Sequence, residues 1–350
     1  MKQEASEILI DFLPTQISDW VHEEYSDKID SIQEIIVDLG REPELRLTSG
    51  EYAIMDDYFV TKSDISTLEQ ALATPFSNNR IGIPETLHRV SVIKNRENHP
   101  IGYTLRVGKH IEDCSKIIYD LLDDEGSVLL IGKPGVGKSS KLRDACHYLS
   151  MQGYKVMIVD TSNEIAGDSE VPNIAVGRAR RLMVGHHKDQ AQVMIEAVEN
   201  HTPDVVVIDE ISNWAEAKAA RTIAQRGVKL IATVHGEILE NIINNPEVSG
   251  LIGGAKSVTL SDGESVKHGK PKMVVQREHE PVFGKVVELQ SFRSVSVHHN
   301  VKDAVDAYLR GNDMRPEKRT LDEEGEVVIT SPEVITDMGR KLQNFPRFEK

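Results

Sequence analysis

The stretch "SVLLIGKPGVGKSSKLRDACHYL", residues 127–149, carries the reading of the fold. An apolar run, "SVLLI", meets a glycine-rich turn, and the turn meets a segment with helical apolar spacing. The turn matches G-x-x-x-x-G-K-[ST] at Gly132, Gly137, Lys138 and Ser139. The pattern has a physical reason. Glycine has no Cβ, so consecutive backbone N–H groups can converge on a phosphate. The helix that starts near Lys138 points its positive end at the same anion. The lysine reaches the β- and γ-phosphates, and the serine hydroxyl is placed to ligate Mg²⁺. The expected phosphate-binding set is Gly132, Lys133, Pro134, Gly135, Val136, Gly137, Lys138, Ser139 and Ser140. A plain strand-to-helix turn is the alternative.

A second stretch, "DVVVIDE" at 204–210, ends an apolar run in two acids. Burying carboxylates at a strand end is costly unless they serve something. Beside a phosphate loop, Asp209 can hold a water on Mg²⁺, and Glu210 can orient and deprotonate an attacking water. Two acids in tandem favour hydrolysis; a capping pair at a strand end is the alternative. "KLIATVHG", 229–236, places Thr233 and His235 at the carboxyl end of another strand. Ligands of open parallel sheets bind at that edge, so either residue can sense the γ-phosphate, or His235 bonds a loop carbonyl. "VDTSNEIAGDSEVP", 159–172, brings Asp160 and Glu164 to the same edge, as contacts to metal-bound water or as loop caps. An arginine can stabilise charge on the transferring phosphoryl group. Candidates are Arg80, Arg89, Arg106, Arg178 and Arg181, each of which can equally be a surface ion pair.

Outward from these motifs the chain divides in three. Residues 1–108 read as a smaller α+β domain: helical spacing in "ISDWVHEEYSDKIDSIQEIIVDLG", short extended pieces, a helix starting at Ser63 or Asp64, and a hairpin around "NRENHPIG". Residues 109–300 alternate apolar strands with amphipathic helices, which predicts a parallel sheet covered by helices on both faces. "KSVTLSD", "PKMVVQREHE" and "KVVELQSF" read as antiparallel strands at its edge. Residues 301–350 read as one helix and a polar, partly flexible tail with a short strand and a helical turn.

The composition bounds the class. The chain has 350 residues, a formal charge of −15 and two cysteines, Cys114 and Cys146. Two cysteines are too few for a disulfide framework and suit a reducing compartment; Cys146 reads as packed core. No run approaches the roughly 18 apolar residues of a membrane helix, and the start lacks the pattern of a secretory signal. With this net charge, nucleic-acid contact needs a local basic patch. "GRARR" (Arg178, Arg180, Arg181) and "RPEKR" (Arg315, Lys318, Arg319) are the two clusters, and the second reads as solvated surface. The pairs His186–His187 and His298–His299 lack metal-site spacing or partner acids. "GLIGG", 250–254, reads as a turn.

Together "FSNNRIGIPETLHRVSVIKNR", "IGYTLRVG", "LIGKPGVGKSS", "VDTSNEIAGDSEVP", "VVVIDEIS", "LIATVHG", "NPEVSGLIGGAKSVTLSD" and "VVQREHEPVFGKVVEL" make a resemblance to a family. The chain resembles the AAA-type ATPases related to stage III sporulation protein AA, found in cyanobacteria, plastid genomes and other bacteria. That resemblance implies a RecA-like P-loop core behind the N-terminal domain, ATP with Mg²⁺, and similarity to the secretion and pilus-retraction ATPases. It further implies a homo-oligomeric ring, a hexamer favoured, with Arg80, Arg89 and Arg106 approaching the phosphates. His235 resembles the histidine-box residue of those relatives, and Glu164 falls where they carry an acidic-box residue. The location implied is cytoplasmic, or plastid stroma for a plastid-encoded chain. The loop ends Lys-Ser-Ser where Lys-Thr-Thr is commoner, and a serine hydroxyl serves the metal equally. Many members continue into an Arg-x3-His nucleic-acid-binding domain. None is read after residue 312, so a nucleic-acid-dependent ATPase is an alternative without a dedicated domain. An ATP-gated assembly scaffold and a secretion-type motor at a membrane are the others.

Overall fold

The computed structural model describes residues 5–72, 79–84, 86–185, 189–259 and 273–330. His186, His187 and the sequence beyond Thr330 lie outside the described residues. Two compact units make up the chain: Met1–Glu112 with Ser162–Arg181, and Asp113–Thr161 with Leu182–Lys350.

In the first unit, helices α1 (Ala5–Ile10), α2 (Thr15–Tyr25) and α3 (Lys62–Ala71) accompany strands β1 (Ile32–Asp38), β2 (Glu44–Leu47), β3 (Tyr52–Ile54), β4 (Arg80–Gly82), β5 (Arg89–Lys94) and β6 (Pro100–Arg106). The strands form one six-stranded sheet in the order β3-β2-β1-β6-β5-β4. Helical spacing in residues 17–40 predicts a longer helix than is found. The helix stops at Tyr25, and Ile32–Asp38 is a strand. Alternation puts Ile35 and Val37 into the core against Leu45, Leu105 and Tyr103 of the strands on either side, and Ile32 is buried beyond a register irregularity between Ile32 and Glu34. Pairing on both edges outweighs local helix propensity here. Helix α3 begins one residue before the expected start: Thr61 caps it, and Asp64 closes a capping box. The hairpin around "NRENHPIG" is β5 and β6, which pair antiparallel.

The second unit contains β7 (Val128–Gly132), α5 (Lys138–Met151), β8 (Val156–Asp160), α6 (Gln190–His201), β10 (Val205–Ile208), α7 (Trp214–Gln225) and β11 (Lys229–His235). The helical "IEDCSKIIYDLL" shrinks to a single 3-10 turn and the short α4 (Tyr119–Asp123). Every residue of β7, β8 and β10 is buried, as a parallel sheet covered on both faces requires. Together with β9 (Arg180–Met183), β14 (Lys285–Ser291), β15 (Ser294–His298), β16 (Glu317–Leu321) and β17 (Val327–Thr330), they make a nine-stranded sheet. Its order is β17-β16-β15-β14-β7-β11-β10-β8-β9.

Several expectations change. "KVVELQSF" is no antiparallel edge strand: β14 runs parallel to β7 and lies inside the sheet. The antiparallel edge is built by β15, β16 and β17. "KSVTLSD" and "PKMVVQREHE" instead supply β12 (Ala255–Thr259) and β13 (Met273–Arg277), a two-stranded sheet of their own. The segment after α9 (Val301–Leu309), read as a polar tail with one short strand, contributes two strands to the main sheet. "RPEKR" is accordingly not all surface. Arg315 and Lys318 are exposed, but Arg319 is 2% exposed and donates to both Asp120 carboxylate oxygens at 2.6 and 2.8 Å. The helix expected over "EILENIINN" is the short α8 (Leu239–Ile243), and "GLIGG" is a 3-10 turn ending at Gly253 in the left-handed region.

Candidate nucleotide site

Strands β7, β8, β10 and β11 end at one edge of the sheet and set the site. Gly132 closes β7, directly beside His235 of β11 in the parallel register. The loop to α5 needs its glycines: Gly135 and Gly137 have φ of +77° and +101°, where a Cβ is strained. A Cβ on Gly137 would also sit 2.7 Å from the Phe292 ring. Lys138 opens the 14-residue α5 and donates from Nζ to the carbonyls of Gly132 and Lys133, at 2.7 and 3.1 Å. Ser139 and Ser140 follow in the first helical turn.

Asp209 and Glu210 extend β10. Asp209 is buried, and Thr233 donates from Oγ1 to its carbonyl at 2.5 Å. Ile211 N–H donates to the Thr233 carbonyl at 2.8 Å, so the ends of β10 and β11 are tied twice. His235 Nε2 lies 3.0 Å from Glu210 Oε2. Lys133 pairs with Glu237 at 3.3 Å, across the same edge. Asp160, at the end of β8, is fully buried.

The structure thus brings Lys138, Glu210 and His235 together with Ser139 and Asp209 in one unit. Glu164 belongs to the other unit, where Arg89 donates to it at 2.8 Å. Arg80 is in β4, and Arg106 pairs with Glu34 at 2.6 Å. Arg181 donates to the carbonyls of Gly167 and Ser169, so it holds its own loop. In "GRARR", Arg178 and Arg180 are exposed.

Sequence reasoning missed three contributors. Gln190, the first residue of α6, is buried; it donates from Nε2 to the Glu210 carbonyl at 2.5 Å and accepts from the Thr161 hydroxyl. His298, read as half of an uninformative pair, is buried with its Nε2 3.0 Å from Glu288 Oε1; that oxygen also accepts from Leu239 N–H at 2.8 Å. The Glu288–His298 pair therefore anchors the start of α8, just past His235. A charged residue interrupting the apolar "KVVELQ" was the available signal. The third is Phe292.

Ser139 and Asp209 offer one hydroxyl and one carboxylate, both hard oxygen donors. Among the described residues no group of three or more His, Cys, Asp or Glu could hold a metal ion. This donor set fits Mg²⁺, which keeps waters and takes substrate phosphate oxygens as ligands.

The family model for "Sporulation stage III, protein AA" matches residues 3–257. The chain belongs to that family. Among curated relatives, "Uncharacterized protein ycf45" of Porphyra purpurea is 40% identical over 343 residues, covering 96% of this chain and 60% of that protein. "Protein SEEDLING PLASTID DEVELOPMENT 1" of Arabidopsis thaliana is 44% identical over 300 residues, covering 85% of this chain and 44% of that protein. The chain therefore spans about half the length of these two relatives. Among solved structures, the pilus retraction motor PilT with bound ADP superposes with a TM-score of 0.55 at 15% identity, over 84% of this chain and 90% of that one. At that identity the likeness is one of fold: the RecA-like core of P-loop ATPases.

Proposed function

We propose that the protein is an Mg²⁺-dependent ATPase that works as a homo-oligomer and converts hydrolysis into domain movement. The Glu210–His235 pair at the sheet edge that carries the phosphate loop supports this reading most directly. In it, the loop amides and Lys138 hold the β- and γ-phosphates. Ser139 and Asp209 hold the ion, which neutralises charge on the phosphate oxygens. Glu210 accepts the proton of the attacking water through Oε1, because Oε2 is engaged by His235. His235 then fixes the rotamer of that carboxylate. Gln190 fixes its main chain.

Arg80, Arg89 and Arg106 enter the reading as arginines that a neighbouring subunit supplies to the phosphates, and Glu164 as the acid that holds Arg89. PilT, the structure similar in fold, is described as a motor. The plastid name of the Arabidopsis relative favours a plastid or cyanobacterial setting. Among the described residues no helix is long and apolar enough to cross a membrane.

Glu210→Gln tests the reading. The amide cannot take a proton, so ATP binding should persist while turnover falls on the order of 10²–10⁴-fold. Retained turnover would remove Glu210 from its role.

A further inference from the structure

We infer that the Phe292 ring is the platform for the nucleotide base, and that the substrate is a purine nucleoside triphosphate. The inference rests on the phosphate-loop reading above. Strand β14 lies parallel to β7, with Leu289 beside Gly132, so the β14–β15 turn emerges at the edge where the phosphate loop begins. Phe292 sits on that turn. Its ring lies against Gly137, close enough that a Cβ there would collide with it. The Lys141 ammonium stands 4.9 Å from the ring centroid. Gly137 and Lys141 are one helical turn apart, so the ring spans the first turn of α5, and Phe292 is only half-buried.

The turn is held on both sides. Leu321 N–H donates to the Arg293 carbonyl at 2.9 Å, and the Arg293 guanidinium donates to the Asp322 carbonyl. Lys141 is itself fully buried and donates from Nζ to the Cys114 carbonyl at 2.5 Å. The aromatic surface is thus placed by groups that are themselves fixed. A nucleotide whose phosphates lie on the loop amides must lead its sugar and base past this turn of α5. There it meets a flat ring that offers stacking and no hydrogen-bonding group. Stacking depends on the face of the base and tolerates different edges. The larger purine is therefore favoured over a pyrimidine by contact area.

The test measures binding of ATP, CTP and inorganic tripolyphosphate to the full chain by calorimetry with Mg²⁺, for wild type, Phe292→Ala, Phe292→Leu and Lys138→Ala. Wild type should bind ATP more tightly than CTP. Phe292→Leu keeps apolar packing on Gly137 but loses the ring. It should weaken ATP by about tenfold, shrink the preference over CTP, and leave tripolyphosphate within twofold; Phe292→Ala should do the same if its fold is intact by thermal melting. Parallel loss of tripolyphosphate in Phe292→Leu would mean the ring only braces the loop and would overturn the proposal. Unchanged ATP binding would overturn it too. Lys138→Ala should lose both ATP and tripolyphosphate. If it loses neither, the phosphate-loop reading itself fails, independently of Phe292.

Discussion

Glu210 Oε2 and His235 Nε2 lie 3.0 Å apart, at the ends of neighbouring parallel strands. The contact links the acid proposed to activate water to the residue beside the phosphate loop. A ring nitrogen here gives the carboxylate a hydrogen-bonding partner in this orientation. His235→Ala should leave the ATP dissociation constant within about twofold and lower kcat about tenfold or more, since only positioning is lost. His235→Gln, whose amide can still donate, should recover part of the rate. Single-turnover hydrolysis with separate binding measurements distinguishes the two effects. A fall in affinity with unchanged kcat would place His235 on the ground-state nucleotide instead.

Gln190 offers an independent check on the same acid. Its buried amide joins the Glu210 carbonyl to the Thr161 hydroxyl, which follows the end of β8. Gln190→Ala leaves a part-buried carbonyl without that donor, which costs about 1 kcal/mol. It should also reduce kcat while sparing nucleotide affinity. Denaturant unfolding and steady-state hydrolysis, run side by side, measure both. A stability loss without any change in kcat would make the residue purely structural.

Much of the site is legible in the sequence because its chemistry is local. Gly132 to Ser140 are consecutive, running from the end of β7 through the turn into the first turn of α5, and Asp209 and Glu210 terminate one apolar run, so a strand and its edge residues can be read without knowing the partners. What is hidden depends on pairing across the chain. An apolar strand such as "KVVELQ" has the same composition whether it runs parallel or antiparallel, and only its insertion beside β7 makes it parallel. His298 finds its acid ten residues back, across a hairpin. Arg319 looks like one basic residue among several until Asp120, 199 positions away, closes on it. Residues 32–38 carry spacing compatible with a helix, and the two flanking strands decide otherwise.

Both cysteines should be unreactive in the native protein. Burial, with the nearby Asp144 charge, pushes the Cys114 thiol up to about 12, and burial also raises Cys146. At pH 8 the thiolate, which is the nucleophile, is then negligible. Labelling by a thiol reagent should proceed only as fast as the fold opens, and should become fast in denaturant. The linkage has a definite sign. Above the ordinary thiol value of 9.0 the unfolded chain loses this proton, while the native chain keeps it until about 12. The stability contributed by the buried thiol is therefore complete below pH 9 and declines as pH rises towards 12. The melting midpoint should hold between pH 8 and 9 and fall by pH 10, and Cys114→Ala should remove only part of that fall, because the raised Cys146 thiol supplies another part.

Arg319 ties the last strands to the body of the second unit. Its guanidinium donates to both oxygens of Asp120, to the Ile117 carbonyl at 2.9 Å and to Glu317 at 2.6 Å, from a side chain that is 3% exposed. Asp120 is itself largely exposed, so losing the arginine leaves no buried, uncompensated acid there. The expected cost comes from the charge-assisted bonds and the buried stem, at about 2–3 kcal/mol for Arg319→Ala. Arg319→Lys retains the charge but lacks the planar fork that meets both carboxylate oxygens, and should recover less than half of that loss. Because β16 pairs with β15, whose hairpin with β14 carries Phe292, the alanine variant should also weaken ATP binding more than tripolyphosphate binding. Denaturant unfolding of both variants, followed by the same pair of binding measurements, tests this. Equal stability of wild type and Arg319→Ala would show that the strands beyond β15 add nothing to the fold.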